Sequence, residues 1–565
     1  MKRWILLSGI VLLGIAAIVV SERQKVDVSP SPQAILYLVA DTEKELTRLP
    51  VRFTRMSDEE EIRVGDELAS GYSYRENPNG NSSKDDESRT IETYLNSVGA
   101  PLAAHAHRKL PYKFHYLPDP YLINAFALPG GHVYVGRGLL AMMDSEDELA
   151  SVLGHEIEHI DQYHCAERVQ VEQAVRKLPL GGLVAIPMEI FEAGYNKDQE
   201  LQADREGTRL AVAAGYSANG AIRMFEAFQK LYNEYQHRAQ TPQEELSHVA
   251  EETIEGYFRS HPLPAERVAQ IQKLIASEGW TPRAEKNLGV AYIFWTARAQ
   301  HALANHRYED AKQLALGSLA IFASQPMAEE VLAQAQFALA DFSAAADSYR
   351  KLLGSKVSNA TLVQAYALTL AAADKRTAAA EFHRWMTSIK GEPPPAVNTA
   401  LAGLELLAGE SSRAQALENQ LSLSHDRRPT LVGELGWYHY LAGQYPRATE
   451  LLEQARQESP GNGIIAIRDA WTLIEARRLS DALQMVQNLP GDTSQSQQSM
   501  AQAVAMWQAG ETDRALGDFG TAIALQPEWT NPQWTQALYS PQVTKTIQQM
   551  TLEREQRQKK AQQNR

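Results

Sequence analysis

The chain has 565 residues, 44% hydrophobic and 22% charged, with a formal net charge of −14 and a single cysteine. That length exceeds what one hydrophobic core can organise, and the composition excludes wholesale disorder. Basic residues cluster only in the C-terminal "REQRQKKAQQNR", which argues against nucleic acid as a partner, and one cysteine excludes an intramolecular disulfide.

In chain order, Lys2 and Arg3 precede an apolar run from Trp4 to Val20, 17 residues long. The run is at the lower limit for a spanning helix and slightly long for a cleaved apolar region. Val19 and Ser21 make a weak cleavage site, so residues 1–26 suit an uncleaved anchor better than a removed signal. Either way, with Lys2 and Arg3 held in the cytoplasm, the rest of the chain is exported. Residues 27–56 read as a linker. Residues 57–90 are polar and acidic, and "YRENPNGNSSKDDESR" within them reads as a flexible loop.

"TIETYLNSVGAPLAAHAHRKL" then shows helical periodicity. After Pro129, Gly130 and Gly131 the alternation of "HVYV" predicts a strand entered through a turn, and helix resumes from Gly138. Asp144 or Ser145 can cap the next helix, "SEDELASVLGHEIEHIDQYHCAERV". "LPLGGLVAIPMEIFEAG", broken by Pro187 and Glu189, reads as a buried or membrane-facing loop and is too short to span. A further helix, "NKDQELQADREGTRLAVAAG", begins near Asn196 and stops at Gly215.

Beyond about residue 275 the sequence becomes alanine-rich with a repeat. Ala311, Ala345, Ala379, Ala414, Ala448, Ala482 and Ala515 are separated by 34, 34, 35, 34, 34 and 33 residues. That period matches a tetratricopeptide-type helix pair, and glycine, aromatic and proline positions keep register in the copies around Gly443 and Gly510.

The chemistry concentrates in "LGHEIEHIDQYH". Residues i and i+4 share a helix face, so His155 and His159 can present two imidazoles to one metal ion, with Glu156 beside them to take a proton from water. A hydrolytic zinc site wants a third protein ligand. His164, five residues after His159, is at a spacing that turns it away. Glu200 and Asp204 are again i and i+4, so one can bind metal while the other orients a ligand. His105 and His107 read as surface residues and Cys165 as a packed thiol.

The ordered motifs "YLNSVG", "NAFALPGGHVYVGRGLL", "LASVLGHEIEHI", "ELQADREG" and "SHPLPAERV" resemble those of the HtpX-type and BepA-type (YfgC) zinc metallopeptidases, gluzincins with HExxH and a downstream ExxxD. The resemblance covers roughly residues 57 to 275. It implies one Zn2+ per chain held by His155, His159 and Glu200, with Glu156 as base and Asp204 orienting a ligand.

It also implies that the strand near "HVYV" is a sheet edge to which an extended substrate adds, with Asn124, Ala125, His132, Val133 and Tyr134 along the cleft. A buried structural hairpin is the alternative, and plain strand packing suits His132. In BepA-like members a loop histidine can occupy the open zinc position, which makes His261 the candidate for such a latch. Fixing a turn before Pro262 is its other reading, and His248 is a weaker candidate. Arg267 is expected to pair with an acidic residue of the core, and Tyr257 to stabilise an oxyanion. Glu158 departs from the family pattern, where a small residue is usual, and is expected to face solvent.

The expected architecture is mainly α. An α+β zinc metallopeptidase domain with a small sheet occupies residues 57–280, an α-solenoid of tetratricopeptide-like pairs residues 285–540, and a polar tail residues 541–565. The expected function is a membrane-tethered, exported zinc endopeptidase of the bacterial cell envelope, inner-membrane anchored or periplasmic. It would degrade misfolded or stalled envelope proteins recruited by the repeat array, which could also dock a protein partner. The rival is a non-catalytic assembly chaperone or scaffold that keeps a zinc-binding protease fold. Its mark would be a broken ligand or base, and none is broken. Prenyl-peptide processing would need several spanning helices, against one convincing apolar run.

Overall fold

The computed structural model describes residues 56–76, 86–176, 195–238, 264–354, 359–423 and 428–563. The expectations for the N-terminal apolar run, the Leu178 stretch, His248, Tyr257 and His261 fall outside the described residues. The chain divides into two compact units, one ending at Ala291 and the other beginning at Tyr292. No helix among the described residues is long and apolar enough to cross a membrane.

Among the described residues, the first unit opens with α1 (Asp58–Glu76) and α2 (Asp86–Ala104). The stretch expected to be a flexible loop, residues 74–89, is helical at its two ends, 74–76 and 86–89, and residues 77–85 lie outside the described residues. α1 is acidic in its first turn, yet one of its carboxylates is internal. Glu61 is fully buried and pairs with Arg108 at 2.6 Å, while Val64, Leu68 and Ala69 pack inward. At Gly65 a Cβ would fall 1.9 Å from the carbonyl oxygen of Pro129, so only glycine lets α1 lie against that turn.

Strands β1 (Lys113–Leu117), β2 (Ala125–Leu128) and β3 (His132–Gly136) form one sheet in the order β1-β3-β2. β3 runs parallel to β1, with His115 opposite Tyr134, and antiparallel to β2, with Ala127 opposite Val133. This corrects the expected edge. His132, Val133 and Tyr134 lie on the central strand, whose backbone is paired on both sides, and every residue of β3 is buried. His132 reaches His115 at 3.0 Å and Asp66 at 3.0 Å, and burial pushes it down to about 4. It is a packed strand histidine, and among the described residues the sheet edges are β1 and β2.

After α3 (Arg137–Leu140), the helix α4 (Glu146–Asp161) starts at Ser145 in a full capping box with Glu148. It is followed by α5 (His164–Arg176), α6 (Lys197–Ala213), α7 (Asn219–Arg238) and α8 (Pro264–Glu278). Asn196 caps α6 through the N–H of Gln199, and Gly215 ends the run at a φ of 99°. α4 and α6 touch at two glycines: a Cβ on Gly154 would meet the Gly207 carbonyl oxygen at 2.6 Å, and one on Gly207 would meet the His155 nitrogen at 2.6 Å. That close approach brings the two polar helices into one core.

The second unit consists of helix pairs, whose first members are α9 (Ala291–Ala304), α11 (Pro326–Ala338), α13 (Ala360–Ala373), α15 (Pro395–Leu407), α17 (Pro429–Leu441), α19 (Gly463–Glu475) and α21 (Gln495–Gln508). Their partners are α10 (Tyr308–Ile321), α12 (Phe342–Leu353), α14 (Ala378–Met386), α16 (Ser411–Leu423), α18 (Tyr445–Glu458), α20 (Leu479–Gln487) and α22 (Thr512–Leu525). Each periodic alanine sits in the first turns of a partner helix and is buried. A methyl there lets the paired helices approach closely.

The expected polar tail is corrected as well. After Trp529, α23 (Pro532–Leu538) and α24 (Pro541–Gln563) fold back on the array, burying Val543, Ile547 and Met550. Trp529 donates to the Ser496 hydroxyl at 2.8 Å, and Tyr539 packs against Trp437 and Trp471 with centroids 5.9 and 5.1 Å apart. The backbone of Ser540 donates to Tyr440 and its hydroxyl bonds Glu475. The C-terminal element thus covers part of the face made by α17, α19 and α21, and only its last turns are the polar extension read from composition.

Candidate metal centre

His155 and His159 project from one face of α4, and Glu200 from the first turn of α6. Their donor atoms lie within 4.8 Å of one another. Nε2 of His155 is 3.0 Å from Nε2 of His159, and Oε2 of Glu200 is 3.5 Å from the former. Donors at ~2.0–2.1 Å from one ion in tetrahedral geometry stand about 3.3–3.4 Å apart, so two imidazoles and a carboxylate at these separations fit a divalent metal ion. All three residues are buried and otherwise expensive to place together.

The outer contacts support that fit. Nδ1 of His155 donates to Oδ1 of Asp204 at 2.8 Å, which directs Nε2 at His159 and Glu200. Asp204 is itself gripped by Arg267 from α8, whose Nε and Nη2 donate at 2.7 and 2.6 Å. Burial opposes ionisation of Asp204, but Arg267 and His155 together outweigh it and hold the carboxyl below its usual range. Burial likewise opposes a proton on His155, yet the hydrogen bonds to Asp204 and Glu200 raise it to about 10. The acidic partner of Arg267, open in the sequence, is Asp204.

Glu156 lies next to this face, 5% exposed, and its burial pushes the carboxyl up to about 7. A cleft beside it is lined by Asn124, Ala125, Val152, His155 and Phe225, among others. Asn124 and Ala125, at the start of β2, line the cleft, whereas His132, Val133 and Tyr134 are not among its lining residues.

Two expectations about neighbours fail. Glu158 does not face solvent: it is 1% exposed and accepts from Gln162 at 3.0 Å, because α4 is enclosed on nearly all sides, and burial raises its carboxyl to about 7. His164 does not turn away from the site. Helix α4 ends at Asp161, Tyr163 takes a φ of 63°, and the redirected chain sets Nδ1 of His164 3.0 Å from Nδ1 of His159. Helical spacing ceased to apply once the helix had stopped. Cys165 is a packed thiol as expected, fully buried, and His107 is an exposed histidine paired with Asp161 at 2.9 Å.

Tyr195 escaped sequence reading altogether. It stacks on His159 and its backbone N–H donates to Glu200 at 2.8 Å. Its place directly before the Asn196 cap was the available signal.

Residues 90–275 match the model of Peptidase family M48, and residues 439–505 match a tetratricopeptide repeat model. The chain is 28% identical over 205 residues to the beta-barrel assembly-enhancing protease of Escherichia coli (strain K12), covering 32% of this chain and 38% of that protein. It is 30% identical over 179 residues to the protein of the same description from Yersinia pestis, covering 28% and 36%. It is 33% identical over 135 residues to the mitochondrial metalloendopeptidase OMA1 of Schizosaccharomyces pombe, covering 22% and 40%. These matches span about two fifths of each relative's length.

Proposed function

From a chain that carries a peptidase family M48 domain and C-terminal tetratricopeptide repeats, we propose a zinc metalloendopeptidase of the bacterial envelope. The carrying observation is the buried cluster of His155, His159 and Glu200 with Glu156 beside it. Zinc held there by His155, His159 and Glu200 would supply Lewis acidity to the scissile carbonyl and to the attacking water. Glu156, buried beside the face that carries His155 and His159, accepts the proton of that water and returns it to the leaving amine. Asp204 and Arg267 orient His155.

The substrate lies extended along β2, the edge neighbouring the cleft, with Asn124 and Ala125 nearest the reacting carbonyl. Met224, Phe225 and Phe228 form the apolar side of the cleft and favour an apolar residue of the substrate. Export across the membrane by the N-terminal run, tethered or released, delivers the enzyme to misfolded or stalled envelope proteins. The relatives described as beta-barrel assembly-enhancing proteases support that setting.

The repeat unit recruits those proteins. Its C-terminal element already covers part of the face made by α17, α19 and α21. Recruitment therefore uses surface left open, such as Leu316, Phe322 and Met327, which are 42%, 47% and 55% exposed.

The test is cleavage of an unfolded model protein by the zinc-loaded chain and by Glu156→Gln, with bound zinc measured in both. Cleavage lost with zinc retained supports the reading. Zinc bound by both and no cleavage by either favours the assembly-chaperone alternative.

A further inference from the structure

Each of the two metal-facing imidazoles needs its ring orientation set, because rotation about the terminal torsion of histidine is broad. For His155 the Asp204 and Arg267 pair does this. For His159 the restraint comes from a different part of the chain. Its ring stacks on Tyr195 with centroids 4.0 Å apart and planes inclined by 19°, and its Nδ1 meets His164 at 3.0 Å. Both contacts leave Nε2 directed at the cluster.

Tyr195 also touches the third ligand. Its backbone N–H donates to Oε1 of Glu200 at 2.8 Å, so Oε2, 3.5 Å from Nε2 of His155, is left for the ion. One residue therefore restrains two of the three metal-binding side chains, one through its ring and one through its main chain. Tyr195 is itself well anchored at 5% exposure. Its hydroxyl lies 3.2 Å from the Cys165 sulfur, and the Arg168 guanidinium sits 3.9 Å from its ring centroid. The anchor atoms come from α5, which also carries His164, so the turn at Tyr163 places this whole support beside the metal-binding face.

Building on the metallopeptidase reading, we propose that Tyr195, with His164, is the positioning residue of the metal centre, holding His159 and Glu200 in binding geometry before any ion arrives. The ring and the backbone N–H do this, and the hydroxyl serves only to anchor the ring. That division predicts different outcomes for different substitutions.

The test uses the full chain and measures zinc affinity by chelator competition, together with the visible spectrum of the cobalt-substituted protein. Tyr195→Phe keeps the ring and the N–H, so affinity within about threefold of the wild type is expected. Tyr195→Met keeps bulk and N–H but removes the stack, and zinc binding weaker by about 10–100-fold with altered cobalt bands is expected, the range for lost outer partners of a metal ligand. His164→Ala is expected to weaken binding by about tenfold.

Zinc affinity and cobalt spectrum both unchanged in Tyr195→Met would overturn the proposal. If that variant fails to fold, judged by circular dichroism, His164→Ala decides in its place: unchanged affinity there overturns the proposal and weakened affinity supports it. A wild-type chain that binds no zinc is a separate outcome, since it defeats the metallopeptidase reading itself.

Discussion

The two units use close helix packing for opposite ends. In the repeat unit, alanines such as Ala448 and Ala482 let paired helices approach around an apolar core, and the same contact recurs along the array. In the first unit, Gly154 and Gly207 bring α4 and α6 together once, around a buried cluster of histidines and carboxylates. A repeated apolar contact distributes its stability over many neighbours. A single polar crossing concentrates function on a few atoms, so it tolerates less change.

Four substitutions break or sharpen that contrast. Glu156→Gln is expected to reduce turnover by about 10²–10⁴-fold while zinc content and thermal unfolding stay as in the wild type, measured by peptide hydrolysis and calorimetry. Trp529→Ala, at a fully buried site, is expected to cost the repeat unit about 3–5 kcal/mol in denaturant unfolding. Short-peptide hydrolysis should persist in that variant; its loss would show that the units are not independent in stability.

Gly207→Ala puts a methyl 2.6 Å from the His155 nitrogen, so α6 must move away from α4. A destabilisation of about 1–3 kcal/mol is expected, with weaker zinc binding by chelator competition. Gly517→Ala, inside α22 with nothing within 4 Å of the added methyl, is the smallest change and has the opposite sign. It should stabilise the repeat unit by about 0.5–1 kcal/mol, since alanine loses less backbone entropy in a helix. Equal effects of the two glycine substitutions would dissolve the contrast.

Much of the site was legible because helices carry it. The i, i+4 spacing of His155 and His159, and of Glu200 and Asp204, survives folding unchanged, and so did the caps at Ser145 and Asn196. The repeat period was equally readable, since each pair contacts mainly its neighbours. Readings failed where the answer depended on distant residues. The edge reading of β3 came from the family resemblance, "KFHYL" carried no strand reading, and pairing with β1 makes β3 central. Glu158 and His164 were judged by helical direction alone, while enclosure of α4 and the bend at Tyr163 decided their surroundings.

By itself, then, the sequence determined the candidate metal-ligand residue types, the helices that bear them and the repeat register, because these rest on local periodicity. Tertiary structure alone decided the strand order, the return of α23 and α24 onto the array, the crossing at Gly154 and Gly207, and the placing of Tyr195 against His159. The physical reason is that those features arise from contacts between segments remote in the chain, whose energies depend on close packing and burial and leave no period to read.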